Sequence, residues 1–219
     1  VDPYTGIDYS HRKPVLEQRL LRFSEAFPVE LWAYSIMSNH FHTALMYHPT
    51  LHLTWSDDEV ASRWLHAFPP KSELGEQDRE LELARDLLLQ DTDRLAYCRN
   101  RLGSLSAYMQ HIKQPFAYQC NREDGVAGHF FEQRFYSGAI LDEDSLVTAM
   151  AYVDLNPIRA QIADRLEECT HTAIAHRLNV VRNTPERLEQ AIQPVVSGLE
   201  TFSTPAKAHR EAAPAEVKQ

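Results

Sequence analysis

The sequence predicts an α+β fold in which helices cover one face of an antiparallel sheet. Three observations predict it. An amphipathic helical pattern runs directly into two short apolar runs separated by a two-residue turn signal. A later aromatic stretch of β character is followed by another helical pattern. The resulting order of helix, strand, strand, helix, strand, helix is that of segregated helices and antiparallel strands.

The first helix is predicted over about residues 11–27. "SHRKPVLEQRLLRFSEAF" offers an N-cap at Ser10, a proline in the first turn, and Val15, Leu16, Leu20, Phe23 and Phe27 at helical spacing. Pro28 ends it. "ELWAYSIM" and "HFHTALMY" are aromatic and β-branched-rich runs joined by Ser38 and Asn39, which predicts a tight hairpin.

Residues 50–100 differ in character. They are acidic, helical in pattern and interrupted by Pro69 and Pro70, and they predict a helical insertion with a small apolar face at Val60, Trp64 and Leu65. "TDRLAYCRNRLGSLSAYMQHIKQPFAYQCN" predicts a long helix broken near Gly103 and Pro115. "GHFFEQRFYSGAIL" alternates aromatic and polar residues and predicts a strand or strand pair. "DEDSLVTAMAYVDL" predicts a helix with acidic residues where the macrodipole favours them. "NPIRAQIADRL" opens on an N-cap and first-turn proline and predicts a further short helix. Residues 181–200 are expected to carry one more helix, and the apolar-poor stretch 201–219 a disordered tail. With a strand restored before Val1, the core becomes a split βαβ, ferredoxin-like or RRM-like arrangement.

The bulk composition narrows the function classes. A chain of 219 residues with 43% hydrophobic content can build one domain with a real core. Its 22 basic and 31 acidic residues give a net charge of -9, which argues against non-specific polyanion binding driven by overall charge and leaves room for a local basic groove. Cys98, Cys120 and Cys169 are isolated and odd in number, so they suggest neither a disulfide framework nor a zinc knuckle. No apolar run reaches the roughly 18 residues of a membrane helix, and no signal-peptide pattern opens the chain. A cytoplasmic protein without a membrane partner is expected.

Two clusters carry chemistry. In "SNHFH", a strand places His40 and His42 on one face and Phe41 on the other, so the two imidazoles can share one cation. An isolated His-x-His is more often just a pair of half-exposed histidines. In "AYVDLNPIRA", Tyr152 and Asn156 lie four residues apart on a helix, which sets a phenol beside an amide oxygen. Taken singly, Tyr152 suits a core position and Asn156 a helix cap. Asp154, between them on another face, is assigned a structural role.

Together these motifs resemble a known family. "YSIMSNHFHTALMY" resembles the His-hydrophobic-His segment of the single-tyrosine HUH transposases, most of all the REP-associated tyrosine transposases and other insertion-sequence transposases of bacteria. "GHFFEQRFYSGAILDEDSLVTAMAYVDLNPIRA" resembles the segment of that family that bears the nucleophilic tyrosine. With "SAYMQHIKQPFAYQCNRE", the resemblance covers roughly residues 8–180 outside the insertion, and it marks residues 1–180 as the transposase domain.

The resemblance implies a metal-dependent endonuclease and strand transferase for single-stranded DNA, active in DNA transposition and recombination beside DNA hairpins. It implies that Tyr152 is the nucleophile, that His40, His42 and Asn156 bind the metal, and that a 5′-phosphotyrosine conserves the bond energy for rejoining. Two imidazoles and one amide leave a hard cation open positions, which points to Mg²⁺ or Mn²⁺. Arg134, Lys113 and Tyr136 are candidate DNA contacts, although a surface salt bridge or a core position is the commoner fate of such residues. The family includes homodimers that exchange the tyrosine helix and monomers that do not. A domesticated, inactive hairpin-DNA-binding protein is the alternative; a metal hydrolase using His40 and His42 with a bound water is a third reading.

Overall fold

The computed structural model describes residues 6–71, 77–132, 135–183, 193–200 and 202. Helix α1 (Arg12–Ala26) buries Leu16, Leu20 and Phe23, as its apolar spacing predicts. It leads into β1 (Val29–Ile36) and β2 (Phe41–Tyr47), antiparallel partners with Ser35 opposite His42 and Ile36 opposite Phe41. The Met37 N–H donates to His40 O at 2.9 Å, closing the turn over Ser38 and Asn39. A bulge at Trp32 shifts the register between Leu31 and Ala33.

The acidic insertion is not a lobe set apart. Its helices α2 (Asp57–Ala67), α3 (Gln77–Gln90) and α4 (Thr92–Leu102) contribute Val60, Ala61, Leu88, Leu95 and Leu102 to the same core cluster as Leu20, Phe23 and Leu31. Ser56 and Asp91 cap α2 and α4 by accepting from N–H groups in the first turn. Arg63 fixes α2 from within: it is fully buried, pairs with Glu59 at 2.9 Å, and donates to Glu25 O at 3.1 Å and Gly198 O at 2.9 Å.

Helix α5 (Leu105–Asp124) starts after a break at Gly103, where an added Cβ would collide with the His52 ring. The expected second break at Pro115 is absent. Proline removes the N–H that would satisfy the carbonyl four residues back, and the Arg19 guanidinium supplies that donor instead, to His111 O at 2.7 Å. Arg12 joins α1 to the far end of α5 through Glu123 at 2.9 Å and Asp124.

Three further expectations need correction. The predicted strand or strand pair in 128–141 does not form among the described residues. Its first two aromatics belong instead to a cluster in which Phe131 meets Phe41 at 6.3 Å and Phe130 meets Phe116 at 5.7 Å, packing on α5 rather than on the sheet edge. Over residues 181–200, helix α8 (Ala173–Asn183) covers the first described positions, and Val196–Ser197, where a helix is expected, forms strand β3, paired antiparallel with β1. The stretch between them and the tail beyond residue 202 lie outside the described residues. Among the described residues the sheet is therefore three-stranded, in the order β2-β1-β3.

The helices also occupy both faces of that sheet. Tyr34 and Phe41 point to the side of α1 and α5, where Tyr34 donates to Glu17 at 2.8 Å. His42 points to the opposite side and meets α6 (Glu143–Asp154). After α6 come the short α7 (Asn156–Arg159) and then α8. The coarse class is thus α+β. Among the described residues no helix is long and apolar enough to cross a membrane.

Candidate active site

The hairpin end presents both imidazoles on one side of the sheet. His40 is exposed, His42 is half-buried, and their ring centroids lie 4.9 Å apart. The His40 Nδ1 contacts Asn39 Oδ1 at 2.7 Å. A carboxamide oxygen only accepts, so Nδ1 donates to it, and Nε2 is the ring nitrogen left to face a ligand. Burial, helped by the neighbouring His40, pushes the His42 pKa down, so that ring is neutral and its lone pair is free.

Helix α6 delivers the third group. Asp142 caps it, accepting from the Ser145 N–H at 2.7 Å. Leu146, Met150 and Val153 turn one stripe to the core, and Tyr152, beside that stripe, remains 44% exposed. The Tyr152 ring meets His42 edge to face, with centroids 5.8 Å apart and planes at 82°. Above it lies Arg159, whose guanidinium carbon is 4.9 Å from the ring centroid.

The helix is braced from behind. Asp154 and Arg177 of α8 form a buried pair at 2.9 Å, and Arg177 also donates to Trp32 O at the bulge of β1. Burial pushes the Asp154 carboxyl up to about 6, against the pull of Arg177. This carboxylate is thus occupied in holding α6 to α8 and β1.

No protein-family model matches this chain, and no curated protein or solved structure does either.

The structure brings His40, His42 and Tyr152 together. Asn156 is buried at the first position of α7, one turn beyond Tyr152, and its amide makes no hydrogen bond to either imidazole among the described residues. Among those residues, no group of three or more His, Cys, Asp or Glu is placed to hold a metal ion. Two imidazoles side by side are nonetheless a donor pair that could hold one divalent cation whose remaining positions are filled by water. Lys113 lies elsewhere: its ammonium sits 4.4 Å from the Phe131 ring, in the aromatic layer under Phe41 rather than on the imidazole side. Tyr136 is 94% exposed, and Arg134 is outside the described residues.

Two contributors escape the motif pattern. Asn39, within the turn, orients His40. Arg159 stands seven residues after Tyr152, and heptad spacing on one helical face is the signal that would have found it.

Proposed function

We propose that this protein nicks and rejoins single-stranded DNA beside hairpins through Tyr152, with a divalent cation held by His40 and His42 and approached by Asn156. The observation that carries the proposal is the edge-on contact of the Tyr152 ring with His42, two residues far apart in the chain that the fold presents together at the surface. The resemblance of both motifs to the single-tyrosine HUH transposases supports the same assignment.

The chemistry follows from these groups. The Tyr152 Oη attacks phosphorus: the Oη–P bond forms, the P–O3′ bond breaks, and the phenol proton passes to solvent while the departing 3′ oxygen takes one up. The products are a 5′-phosphotyrosine and a free 3′-hydroxyl, nearly equal in energy to the starting diester, so the step runs in both directions. A phenol of pKa about 10 is a weak nucleophile at neutral pH. The cation, when bound, polarises the scissile phosphate and stabilises charge on its oxygens. Asn39 holds the His40 tautomer, Ser35 and Phe41 fix the strand, and the Asp154–Arg177 pair keeps α6 in place.

The test uses a labelled hairpin oligonucleotide with a single-stranded flank, incubated with Mg²⁺ or Mn²⁺. Wild type is expected to form a protein–DNA adduct that resists denaturation, and Tyr152→Phe to form none. Failure of wild type to form an adduct overturns the proposal. Cleavage that survives Tyr152→Phe points to water as nucleophile, and hairpin binding without cleavage points to a binding protein.

A further inference from the structure

Resting on the reading of Tyr152 as nucleophile, we propose that Arg159 is the phosphate-binding catalytic residue of this site, gripping the scissile diester as Tyr152 attacks it. The juxtaposition is built into the backbone. Helix α6 ends at Asp154 and α7 begins at Asn156, and two backbone bonds flank the single turn residue between them: the Leu155 N–H donates to Ala151 O at 3.0 Å and the Arg159 N–H to Leu155 O at 3.0 Å. Across this short turn Arg159 comes to stand over Tyr152, its guanidinium carbon 4.9 Å from the ring centroid. The chain then turns away. Gln161 adopts a left-handed conformation with φ 56°, and the Ile162 N–H returns to Pro157 O at 2.9 Å, ending the helix directly after Arg159.

The second observation is the availability of the charge. Arg12, Arg63, Arg99 and Arg177 each pair with a carboxylate. Arg159 is exposed, and among the described residues no carboxylate pairs with it; its partner is the ring of Tyr152. In a chain of net charge -9, an arginine left without an acid directly above an exposed phenol has its planar fork free for an anion. That fork matches two phosphate oxygens at once, a geometry that a lysine cannot reproduce. A guanidinium donates hydrogen bonds and accepts none, so its part in the step is to hold the phosphate oxygens. The ligand is therefore the diester at the cleavage point itself, met by the guanidinium beside the ring of Tyr152.

Full-length wild type, Arg159→Ala, Arg159→Lys and Arg159→Gln would be compared on a hairpin oligonucleotide with Mn²⁺, reading the rate of covalent adduct formation. Binding would be read separately by fluorescence anisotropy in a Tyr152→Phe background. Arg159→Ala is expected to slow adduct formation about 10²–10³-fold, the loss seen when one preorganised donor to developing charge is removed. Gln should fare no better, and Lys should recover part of the rate. In the binding assay, Arg159→Ala should lower the slope of log affinity against log salt by about 0.7, one phosphate contact on a single strand. With a neutral methylphosphonate at the scissile position, the difference in binding should vanish.

If wild type forms adduct and Arg159→Ala forms it at the same rate, the role of Arg159 is overturned while that of Tyr152 stands. If wild type forms no adduct, both fall. A full binding difference that persists on the methylphosphonate places Arg159 at another phosphate and overturns the assignment.

Discussion

His42 and Tyr152 meet edge to face at 5.8 Å, one on the outer strand of a hairpin and the other near the end of a helix far along the chain. With the His40 ring centroid 4.9 Å from that of His42 on the same side, the two imidazoles are close enough to share one ligand. Mn²⁺ titrated into the protein should therefore broaden the imidazole resonances of His40 and His42 before those of the other histidines. His42→Ala should abolish the selectivity. Uniform broadening across all histidines would dismiss the site.

Asn39 is expected to matter without touching the metal. Its carboxamide oxygen fixes the His40 tautomer at 2.7 Å. Outer partners of this kind typically contribute about 10–100-fold in metal affinity, so Asn39→Ala should weaken Mn²⁺ binding by that order while leaving thermal unfolding unchanged. Asn39→Asp, which retains the acceptor, should restore it. Equal affinity in all three proteins would mean that the turn plays no part.

The Asp154–Arg177 pair makes a different prediction, about stability. Both side chains are buried, and the pair links α6, α8 and the Trp32 carbonyl of β1. Removing one partner leaves a buried charge uncompensated, so Arg177→Met should cost about 3–5 kcal/mol in chemical denaturation. The double variant Asp154→Leu/Arg177→Met should recover much of that loss. If the double variant is as unstable as the sum of the two single ones, the pair is not a coupled unit.

The hairpin and α6 were legible because their signals are local: alternation, a two-residue turn, an acidic first turn and an apolar stripe. Pro115 misled because the donor that replaces its missing N–H is Arg19, distant in sequence and invisible to any window around the proline. The stretch 128–141 misled for a related reason, since Phe130 and Phe131 fill a cluster against Phe116, a partner outside the stretch, rather than a sheet. Tyr152 and His42 were each nameable, yet their contact depends on α6 crossing the face opposite α1, which element order leaves open. Arg159 was overlooked because its meaning comes only from the helical junction that lifts it over the ring.

Arg63 gives the acidic segment its place in the fold. Its guanidinium is fully buried and tied to Glu59 and to the carbonyls of Glu25, Gly198 and Glu200, joining α2 to the end of α1 and to the chain after β3. Arg63→Ala should cost on the order of 3–5 kcal/mol in a urea melt, by breaking a buried ion pair and orphaning those carbonyls. Arg63→Lys should recover little, since one ammonium cannot reach acceptors arranged around a fork. A lysine variant as stable as wild type would show that charge alone suffices.

His111 should make the fold sensitive to acid. Its ring stacks on Phe23 at 6.0 Å and meets Phe68 at 4.7 Å, and its Nε2 faces an Arg101 guanidinium nitrogen at 3.2 Å. Arginine only donates, so Nε2 must accept, and burial together with Arg101 and Arg19 pushes the His111 pKa from 6.5 down to about 4. Between those values the unfolded chain binds the proton and the folded chain does not. Stability is therefore full above pH 6.5 and falls as the pH drops toward 4. A tenfold difference in proton affinity between the folded and unfolded chains corresponds to about 1.4 kcal/mol, and partial exposure of the ring brings the total loss to the order of 2 kcal/mol. Asp154 acts in the opposite direction: its raised pKa makes the folded state gain protons near pH 6, so the decisive comparison is one of slopes. His111→Gln keeps an acceptor for Arg101 and cannot titrate. Its urea midpoint should start lower than that of wild type at pH 7.5 and decline less between about pH 6.5 and 4. Parallel declines in the two proteins would assign the acid sensitivity to other groups.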